Sequence, residues 1–507
     1  MVEGSSTQFK VCDPKGDILL TGERGTNIND PDTGKTVSKI DFSRLNTPGD
    51  YYLYYGDARR DLVIGGNPYN NALLASLKTF NIQRCGIEVK DIATGYSHEK
   101  CHMQDANFLP SAGKNGGKNV RGGWHDAGDY GKYVPPANYA VSTLLFSYEL
   151  NKKKLKRTGL LKEIRYEVDW LLTMQDEKTG GVYHKVARKD FEPFIQPDRD
   201  KEPRYISQIS SAATAGFAGT MAQAYQAFRE YDQRYANKLL AAAKHAWQYL
   251  EENPTIVPSG GFNNDPGIKT GIYGDDVDGD ERIFAAAQLL GATGDPKYEE
   301  YFSRNFEKFD SSDTARLGWQ DFRHHAYISY LLLPEKWSSA EISSKVKQRF
   351  ISFAEKLVER ANKNGFGVVF KGDDYRWGSN GLLMDYAKAL VFAHIFTSEK
   401  RFKELSLEQL HYIFGRNAND ICFVTGFGER SVTRLHHRPS IARGRELPGY
   451  MAGGPNKYLQ DERVRGVFNS ETPPAMVYLD DKDSYSTNEN SIYWNASLFF
   501  ILGYFSD

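Results

Sequence analysis

Two aspartates lie three residues apart in a glycine- and aromatic-rich segment, GGWHDAGDYGKY at 122–133. If this segment forms one helical turn, Asp126 and Asp129 share a face. Two like charges held that close raise one proton affinity and leave the other group ionised, which suits a base that takes a proton from water. A bare DxxD is more often a solvated surface pair, so the pair alone also fits an ordinary polar loop.

A third candidate acid, Glu489, lies in SYSTNENSIYWNA at 484–496. Residues with helix-capping side chains precede it directly: Ser486, Thr487, Asn488. The sequence therefore predicts Glu489 at a helix N-terminus, where an acid is usually a surface group favoured by the helix dipole. Nearby aromatic residues could instead desolvate it and keep it protonated: Tyr485, Tyr493, Trp494. One neutral carboxyl group and one ionised carboxylate are what cleavage of a glycosidic bond requires.

Composition excludes several other classes of protein. The 507 residues contain 64 Lys and Arg against 65 Asp and Glu, so the basic surplus typical of nucleic-acid binding is missing. No apolar run approaches 18 residues, and we expect no membrane span. Four cysteines are too few for a disulfide-built scaffold. Residues 1–8 contain no apolar segment of the kind found in secretion signals, which leaves an intracellular protein and a secreted one with its signal missing both open.

Two kinds of periodicity divide the chain. Up to residue 68, five short β-like runs alternate with Gly, Asp, Asn and Pro clusters, which predicts a small sandwich. From Asn71 onward, apolar residues recur at three and four spacing, and about eleven helices with long loops between them are predicted. We therefore expect a β-sandwich domain at 1–68 and a mainly α domain at 69–507, with function carried on loops at one end of a closed ring of helix pairs.

Five motifs occur in a fixed order along the chain: GGWHDAGDYGKY, FVTGFG at 423–428, LHHRPS at 435–440, AGGPN at 452–456 and STNE at 486–489. Together they closely resemble glycoside hydrolase family 9, the cellulase family. The strand-like N-terminal region resembles the immunoglobulin-like module that precedes many catalytic domains of this family. The resemblance implies an (α/α)6 barrel with an open cleft and an inverting mechanism.

The resemblance also implies roles for individual residues. Asp129 matches the base that activates water, Asp126 the residue that helps to hold this water, and Glu489 the acid that protonates the leaving oxygen. An inverting enzyme keeps its two carboxyl groups roughly 6.5 to 9.5 Å apart to admit the water. His436 and Arg438 match substrate contacts of the family. Flat rings that could cover the apolar face of a sugar are expected at Trp377, Trp319, Tyr485 and Trp494, although core packing explains such residues as well.

Two metal sites are further expectations. Cys85, Cys101, His102 and His125 are ligands suited to tetrahedral zinc, but spacing alone favours a Cys85–Cys101 disulfide or buried thiols. The resemblance reverses that order, since members with the N-terminal module carry a structural zinc at matching positions. The run YGDDVDGDE at 273–281 is not an EF-hand and fits an acidic helix start. The resemblance implies a structural calcium ion there, with these expected ligands: Asp276, Asp280, Glu281, Asp321.

The sequence therefore predicts an inverting hydrolase of β-1,4-linked glucan, acting on cellulose, cello-oligosaccharides or mixed-linkage glucan from chain ends or within chains. One alternative keeps the fold but removes glucosamine from chito-oligosaccharides, which requires a further acid in the loops at 185–205 or 461–483. Another alternative is a non-catalytic glycan-binding protein. We expect no organic cofactor, a monomer, and a secreted or periplasmic location.

Overall fold

The computed structural model describes residues 1–4, 6–308 and 317–506. Its N-terminal part is built from six strands: β1 (Gln8–Cys12), β2 (Ile18–Glu23), β3 (Asn27–Asp30), β4 (Lys35–Ser38), β5 (Gly49–Tyr55) and β6 (Ala58–Ile64). β2, β1, β5 and β6 form one antiparallel sheet in that order, and β3 pairs with β4 in a separate hairpin. The five predicted strand regions are present, and β3 is an additional strand.

Alternation along the strands gives this region its own small core. Phe9 and Val11 of β1 and Tyr51 and Tyr55 of β5 are buried together, because successive side chains of a strand point to opposite faces. The β3–β4 hairpin instead contacts the helical part of the chain. The Asp30 carboxylate accepts a hydrogen bond of 2.9 Å from the backbone N–H of Gly365, which ties the two parts together.

The rest of the described chain is mainly helical. Its helices are α1 (Asn70–Ile82), α2 (Val134–Leu150), α3 (Lys152–Leu155), α4 (Leu160–Met174), α5 (Ser211–Phe228), α6 (Gln233–Glu252), α7 (Gly279–Thr293), α8 (Pro296–Asn305), α9 (Arg323–Leu331), α10 (Ala340–Lys363), α11 (Ser379–Thr397), α12 (Lys400–Ile413), α13 (Arg438–Arg443), α14 (Glu462–Arg465), α15 (Tyr485–Asn488) and α16 (Ile492–Phe505). Among these described helices, none is both long and apolar enough to cross a bilayer.

The long helices fall into two sets. α2, α5, α7, α11 and α16 are buried around nearly their whole circumference, as expected of helices that are apolar or small-residue-rich on every face. α6, α10 and α12 bury one stripe and expose the rest. α16 packs on α2, α2 on α5, α5 on α7 and α7 on α9, while α5–α6, α7–α8 and α11–α12 pair an inner helix with an outer one.

Short strands occur in the loops: β7 (Val89–Asp91), β8 (Tyr96–His98), β9 (Asn107–Phe108), β10 (Lys132–Tyr133), β11 (Lys185–Ala187) and β12 (Tyr205–Ile206). β10, β11, β12 and β9 form a small sheet in that order, which the sequence did not predict. Strand β10 directly precedes the inner helix α2. The small sheet therefore connects the 122–133 segment to the 185–206 segment.

Two local predictions were wrong. Residues 122–131 form a loop, so Asp126 and Asp129 do not share a helical turn; Gly122 and Gly123 adopt positive φ values of 93° and 77°, outside the helical region. Glu489 does not begin a helix either. It follows α15 in an extended conformation, and α16 begins three residues later at Ile492, so the helix dipole does not set its charge.

Candidate active site

A cavity of about 860 Å³ lies where loops lead into the inner helices. Segments that precede α2, α7, α9, α11 and α16 all contribute to its wall. The three carboxyl groups predicted from sequence line this one cavity: Asp126, Asp129, Glu489. The six residues predicted to contact substrate line it as well: His436, Arg438, Trp377, Trp319, Tyr485, Trp494.

Glycines let the 122–133 loop fold tightly against its neighbours. A Cβ atom on Gly128 would collide with the carbonyl oxygen of His436, and a Cβ on Gly131 would lie 2.6 Å from the Asp129 carboxylate. The N–H of Asp126 donates to the carbonyl of Gly131 at 2.9 Å and closes the turn. The N–H of Ile492, at the start of α16, donates to the Asp126 carbonyl at 2.8 Å. The loop is therefore fixed by backbone contacts on both sides.

Asp126 is fully buried at the cavity wall. One carboxylate oxygen accepts a short hydrogen bond from the hydroxyl of Tyr273, and the other accepts one of 3.3 Å from Ser491. Burial raises the pKa of Asp126 to about 8, against the opposing effect of the Tyr273 hydrogen bond. The charge of Asp129 raises that pKa further. Burial, more than the neighbouring charge, therefore pushes Asp126 toward its neutral form.

Asp129 has a different set of partners. Its Oδ2 accepts hydrogen bonds of 3.0 Å from the N–H of Gly131 and 3.1 Å from the hydroxyl of Tyr133. Both donors favour a charged acceptor. Tyr133 is itself buried, so its hydroxyl is held in place by packing.

Glu489 is half-buried and has few polar contacts. The N–H of Gly128 donates to its Oε1 at 3.3 Å. Burial raises the pKa of Glu489 well above its ordinary range, and the charge of Asp129 raises it further, while Arg438 opposes the change. Its backbone is anchored by the N–H of Gly453, which donates to the Glu489 carbonyl at 2.7 Å. This setting favours the neutral form of the carboxyl group, which is the form that can donate a proton.

His436 and Arg438 connect the walls of the cavity. The ring Nδ1 of His436 lies 2.5 Å from the carbonyl of Lys482, and its backbone N–H donates to Asn488 at 2.9 Å. The guanidinium of Arg438 donates to the carbonyls of Gly128 at 2.9 Å and Glu192 at 2.8 Å. Arg438 therefore holds the 122–133 loop in addition to facing the cavity.

The predicted aromatic residues differ in exposure. Trp377 and Tyr485 are 39% and 37% exposed, and their rings lie 5.4 Å apart, so both can cover a flat ligand face. Trp319 is half-buried and packs edge-on against Tyr273 at 4.9 Å. Trp494 is 4% exposed, and a Cβ on Gly378 or Gly381 would overlap its indole. Trp494 therefore forms a packed part of the wall.

Several residues of the site were not found from sequence. Tyr133 and Tyr273 hold the two aspartates, and Phe191 and Arg376 line the cavity. Glu192 is buried behind the wall, 3.6 Å from Arg438, and burial raises its pKa. Tyr133 ends the GGWHDAGDYGKY motif and Tyr273 begins the acidic run, so both lay within segments already singled out. Nothing in the local pattern showed that they reach Asp129 and Asp126.

The predicted zinc ligands form a cluster directly behind the 122–133 loop. All four cysteines of the chain are free thiols, which excludes the Cys85–Cys101 disulfide in this structure. Ligand atoms of Cys85, Cys101, His102 and His125 lie within 4.8 Å of one another, and all four residues are buried. The other ring nitrogen of His102 lies 3.2 Å from the Asp200 carboxylate, the arrangement that orients a metal-binding imidazole.

The acidic segment before α7 is less tightly organised. Asp280 and Glu281 are buried, and burial raises the pKa of each well above its ordinary range. Asp321 is also buried and pairs with Arg323 at 2.8 Å. Asp276 is exposed, whereas its neighbour Asp275, which sequence reasoning passed over, is half-buried with its pKa raised by burial to about 7.

Known protein families match both parts of the chain. Residues 69–502 match the family described as Glycosyl hydrolase family 9, and residues 1–60 match the Cellulase N-terminal ig-like domain.

Individual relatives match over nearly the whole length. Endoglucanase D of Acetivibrio thermocellus is 32% identical over 99% of this chain and 80% of its own length, and a cellodextrinase of Butyrivibrio fibrisolvens is 34% identical over 98% and 95%. Among solved structures, the family 9 endoglucanase J30 superposes with a TM-score of 0.94 at 32% identity, covering 100% of this chain and 98% of that one. A thermostable endoglucanase from Alicyclobacillus acidocaldarius gives a TM-score of 0.92 at 34% identity over 99% and 95%.

Proposed function

This chain belongs to glycosyl hydrolase family 9, and on that premise we propose that it is an inverting hydrolase of β-1,4-linked glucans, with cellulose, cello-oligosaccharides or mixed-linkage glucan as substrate. The observation that carries the proposal is the placement of three carboxyl groups on one cavity, with burial raising the pKa of one of them, Glu489. Its relatives include an endoglucanase and a cellodextrinase.

In the proposed reaction, Glu489 donates its proton to the leaving glycosidic oxygen while Asp129 takes a proton from the attacking water. Asp126 holds that water from the side, since its own carboxyl group is driven toward the neutral form. The water attacks from the face opposite to Glu489, so the anomeric configuration inverts. Trp377 and Tyr485 support the proposal because their exposed rings can cover sugar faces along the cavity.

The inner and outer helix sets support a finer architecture, an (α/α)6 barrel in which α2, α5, α7, α9, α11 and α16 form the inner ring. We place the boundary between this barrel at 69–507 and an immunoglobulin-like domain at 1–68. Polymeric glucans occur outside the cell, so we also propose a secreted or periplasmic location. We propose separately that the protein is a monomer.

The glucosaminidase alternative requires an acid that reaches a 2-amino group. Of the acids in the two loops named for this role, Glu192 is buried behind Arg438 and outside the cavity lining. Among the described lining residues, the acids are Asp126, Asp129 and Glu489, which already have roles. The geometry therefore favours a glucan over a glucosamine oligomer.

Product analysis tests the function. The protein is incubated in parallel with cellopentaose and with chitosan pentamer, and proton NMR follows the anomer released first. We expect cleavage of cellopentaose with initial release of the α-anomer, and no cleavage of the chitosan pentamer. Initial release of the β-anomer would contradict inversion, and an Asp129→Asn variant as active as the parent would favour the non-catalytic alternative.

We further propose a structural zinc ion held by Cys85, Cys101, His102 and His125. The donor set fits, because two thiols and two imidazoles converge in a buried space and burial lowers the pKa of His125 to about 3, which keeps its ring in the metal-binding neutral form. Four protein ligands leave no open position, so the ion would brace the 122–133 loop without touching substrate. Elemental analysis should find about one zinc per chain, and Cys101→Ser should lower both zinc content and Tm.

A calcium ion at the acidic segment is a separate proposal. The support for it is that one oxygen of Glu281 and one of Asp275 are buried without a hydrogen-bond partner among the described residues. We expect Asp275, Asp280, Glu281 and Asp321 to supply ligands, with exposed Asp276 at the edge. Calcium would neutralise acids whose like charges otherwise oppose one another. Added calcium should raise Tm in the parent and do so less in a Glu281→Gln variant.

A further inference from the structure

Lys185 is a buried amine beside the proposed active site, and neither the proposed reaction nor the metal sites use it. It lies in β11 and is 1% exposed. None of the salt bridges formed by the described residues involves it. Its Nζ lies within reach of four neutral oxygens instead: Asn264 Oδ1 at 2.7 Å, Gly271 O at 2.6 Å, Thr270 Oγ1 at 3.1 Å and Thr270 O at 3.2 Å.

Such an arrangement suits the charged form of Lys185. A lysine ammonium has three N–H donors and no acceptor, and it faces only acceptors here. Burying a charge without a counter-charge in contact is costly. The buried ammonium of Lys185 therefore lowers the stability of the folded protein. Burial lowers the pKa of Lys185 to about 7, while the charges of Asp129 and Asp265 oppose that change.

The four oxygens belong to one stretch of chain, the 264–273 segment, which leads to Tyr273. Gly271, Ile272 and Tyr273 line the cavity. The adjacent residue His184 holds the same stretch, since its Nε2 donates to the Ile272 carbonyl at 3.0 Å and its ring stacks on Phe262 at 3.6 Å. Two consecutive residues before and within β11 therefore hold the backbone immediately before Tyr273.

The same lysine also borders the partner of Asp129. β11 pairs with β10, with Lys185 opposite Tyr133, and the ammonium lies 5.6 Å from the centre of the Tyr133 ring. A Cβ on Gly271 would lie 3.2 Å from that ring, so the segment packs directly on it. The rings of Tyr133 and Tyr273 are 4.7 Å apart. Tyr133 and Tyr273 therefore pack against each other, and their hydroxyls donate to Asp129 and Asp126 respectively.

We propose that Lys185 is a positioning residue for the reaction: its buried ammonium fixes the 264–273 segment against β11, sets the tyrosines that hold both aspartates, and places a positive charge behind Asp129 that favours the ionised base. This inference rests on the proposed function. Other groups whose charge acts around Asp129 are Asp126, Glu192, Glu489, His436, Arg438 and the Tyr133 hydroxyl. Lys185 is the cation that approaches from the side of β11.

The test compares Lys185→Met with the parent on cellopentaose across pH. Methionine keeps the unbranched shape and most of the length of the side chain and removes the charge. We expect kcat to fall by about 10-fold or more with KM within about 2-fold, because the base and its water are misplaced while the aromatic subsites remain. We expect the acid limb of kcat/KM to move up by about half a pH unit, because the base loses a favourable charge. A purely structural lysine would not move that limb.

Two further variants keep the test decisive. Lys269→Met removes an exposed lysine of the same segment, paired with Asp190 at the surface, and should match the parent. Asn264→Asp places a carboxylate at 2.7 Å from the ammonium without changing size, so it should shift the acid limb upward even if Lys185→Met fails to fold. If Lys185→Met folds and its acid limb stays at the parent's position, the proposal is overturned. If Lys185→Met does not fold, an acid limb at the parent's position in Asn264→Asp overturns it instead. A parent without activity on cellopentaose would instead refute the proposed function.

Discussion

The two walls of the cavity hold their carboxyl groups in different ways. On the wall formed by residues 122–133, Asp126 and Asp129 receive hydrogen bonds from two tyrosines, a serine and a backbone N–H. On the wall formed by residues 484–491, Glu489 receives one bond of 3.3 Å from Gly128. The first wall surrounds its acids with several donors, and the second leaves its acid with a single, longer hydrogen bond.

This difference separates an acid from a base within one cavity. Donors directed at a carboxylate stabilise its charged form, and burial without donors stabilises its neutral form. Asp126 shows that burial can outweigh two donors, since its pKa is raised to about 8. The contrast between Asp129 and Glu489 is therefore a matter of surroundings, because the two side chains carry the same functional group.

Removing each carboxylate in turn is the strongest test of the different roles assigned to the two walls. Asp129→Asn and Glu489→Gln should each lower kcat on cellopentaose by about 10²–10⁴-fold, because each loses a proton-transfer step. The two variants should separate on 2,4-dinitrophenyl β-cellobioside, whose leaving group needs no proton. Glu489→Gln should recover most of its activity on this substrate, measured by dinitrophenolate release, and Asp129→Asn should not.

Far-ultraviolet circular dichroism and Tm of both variants serve as controls for folding. Recovery of Asp129→Asn with Glu489→Gln inactive would exchange the two roles. Equal recovery of both variants would contradict any division of labour between the walls.

The contact between the walls gives a second, smaller effect. Gly128→Ala adds a methyl group that collides with the His436 carbonyl, so the loop must move away from the 484–491 wall and the Gly128 bond to Glu489 must lengthen. We expect kcat to fall by about 10²-fold, in line with the cost of displacing reacting groups by about 1 Å. Gly66→Ala, at a glycine with open space around it and without a positive φ, is the matched control for kinetics on cellopentaose. A parent-like kcat in Gly128→Ala would show that the walls are not coupled through this contact.

Much of the site could be predicted because its parts lie within ordered motifs. Asp126, Asp129 and Glu489 were identified from such motifs and lie on one cavity, although the helical-turn argument for the first two and the helix-start argument for the third were wrong. Local spacing could not reveal the loop conformation, because it depends on Gly128 packing against His436, more than 300 residues away.

The supporting residues could not be predicted for the same reason. Tyr273 reaches Asp126 across 147 residues, and Lys185 holds Gly271 across 86. Periodicity did predict the helical character of the chain and its β-rich start, because burial of a stripe or a face leaves a local pattern. It did not predict which helices lie inside, although the all-round apolar character of α16 was a usable signal.

The tyrosines allow a finer comparison within the 122–133 wall. Tyr133→Phe removes a hydroxyl from Asp129, and Tyr273→Phe removes one from Asp126. Each change should lower kcat by about 10-fold, the equivalent of about 1.4 kcal/mol for a hydrogen bond to a charged or partly charged group. Kinetics on cellopentaose measure both, and Tyr231→Phe, at a tyrosine that is not among the lining residues, is the control. An unchanged kcat in both variants would mean that the aspartates are held by backbone contacts alone.

The smallest expected effect concerns pH. Because burial raises the pKa of Glu489 and the reaction needs its protonated form, activity should be present at pH values below that pKa and be lost as pH rises through it. Arg438 opposes this shift, so Arg438→Gln should raise the pKa of Glu489 further and move the alkaline limb of kcat upward by about half a pH unit. Arg438→Lys keeps the charge and should leave the limb near its parent position. Each profile is scaled to its own plateau, since Arg438 also holds the Gly128 carbonyl. A downward shift in Arg438→Gln would show that another group sets the alkaline limb and that the second wall does not carry the acid.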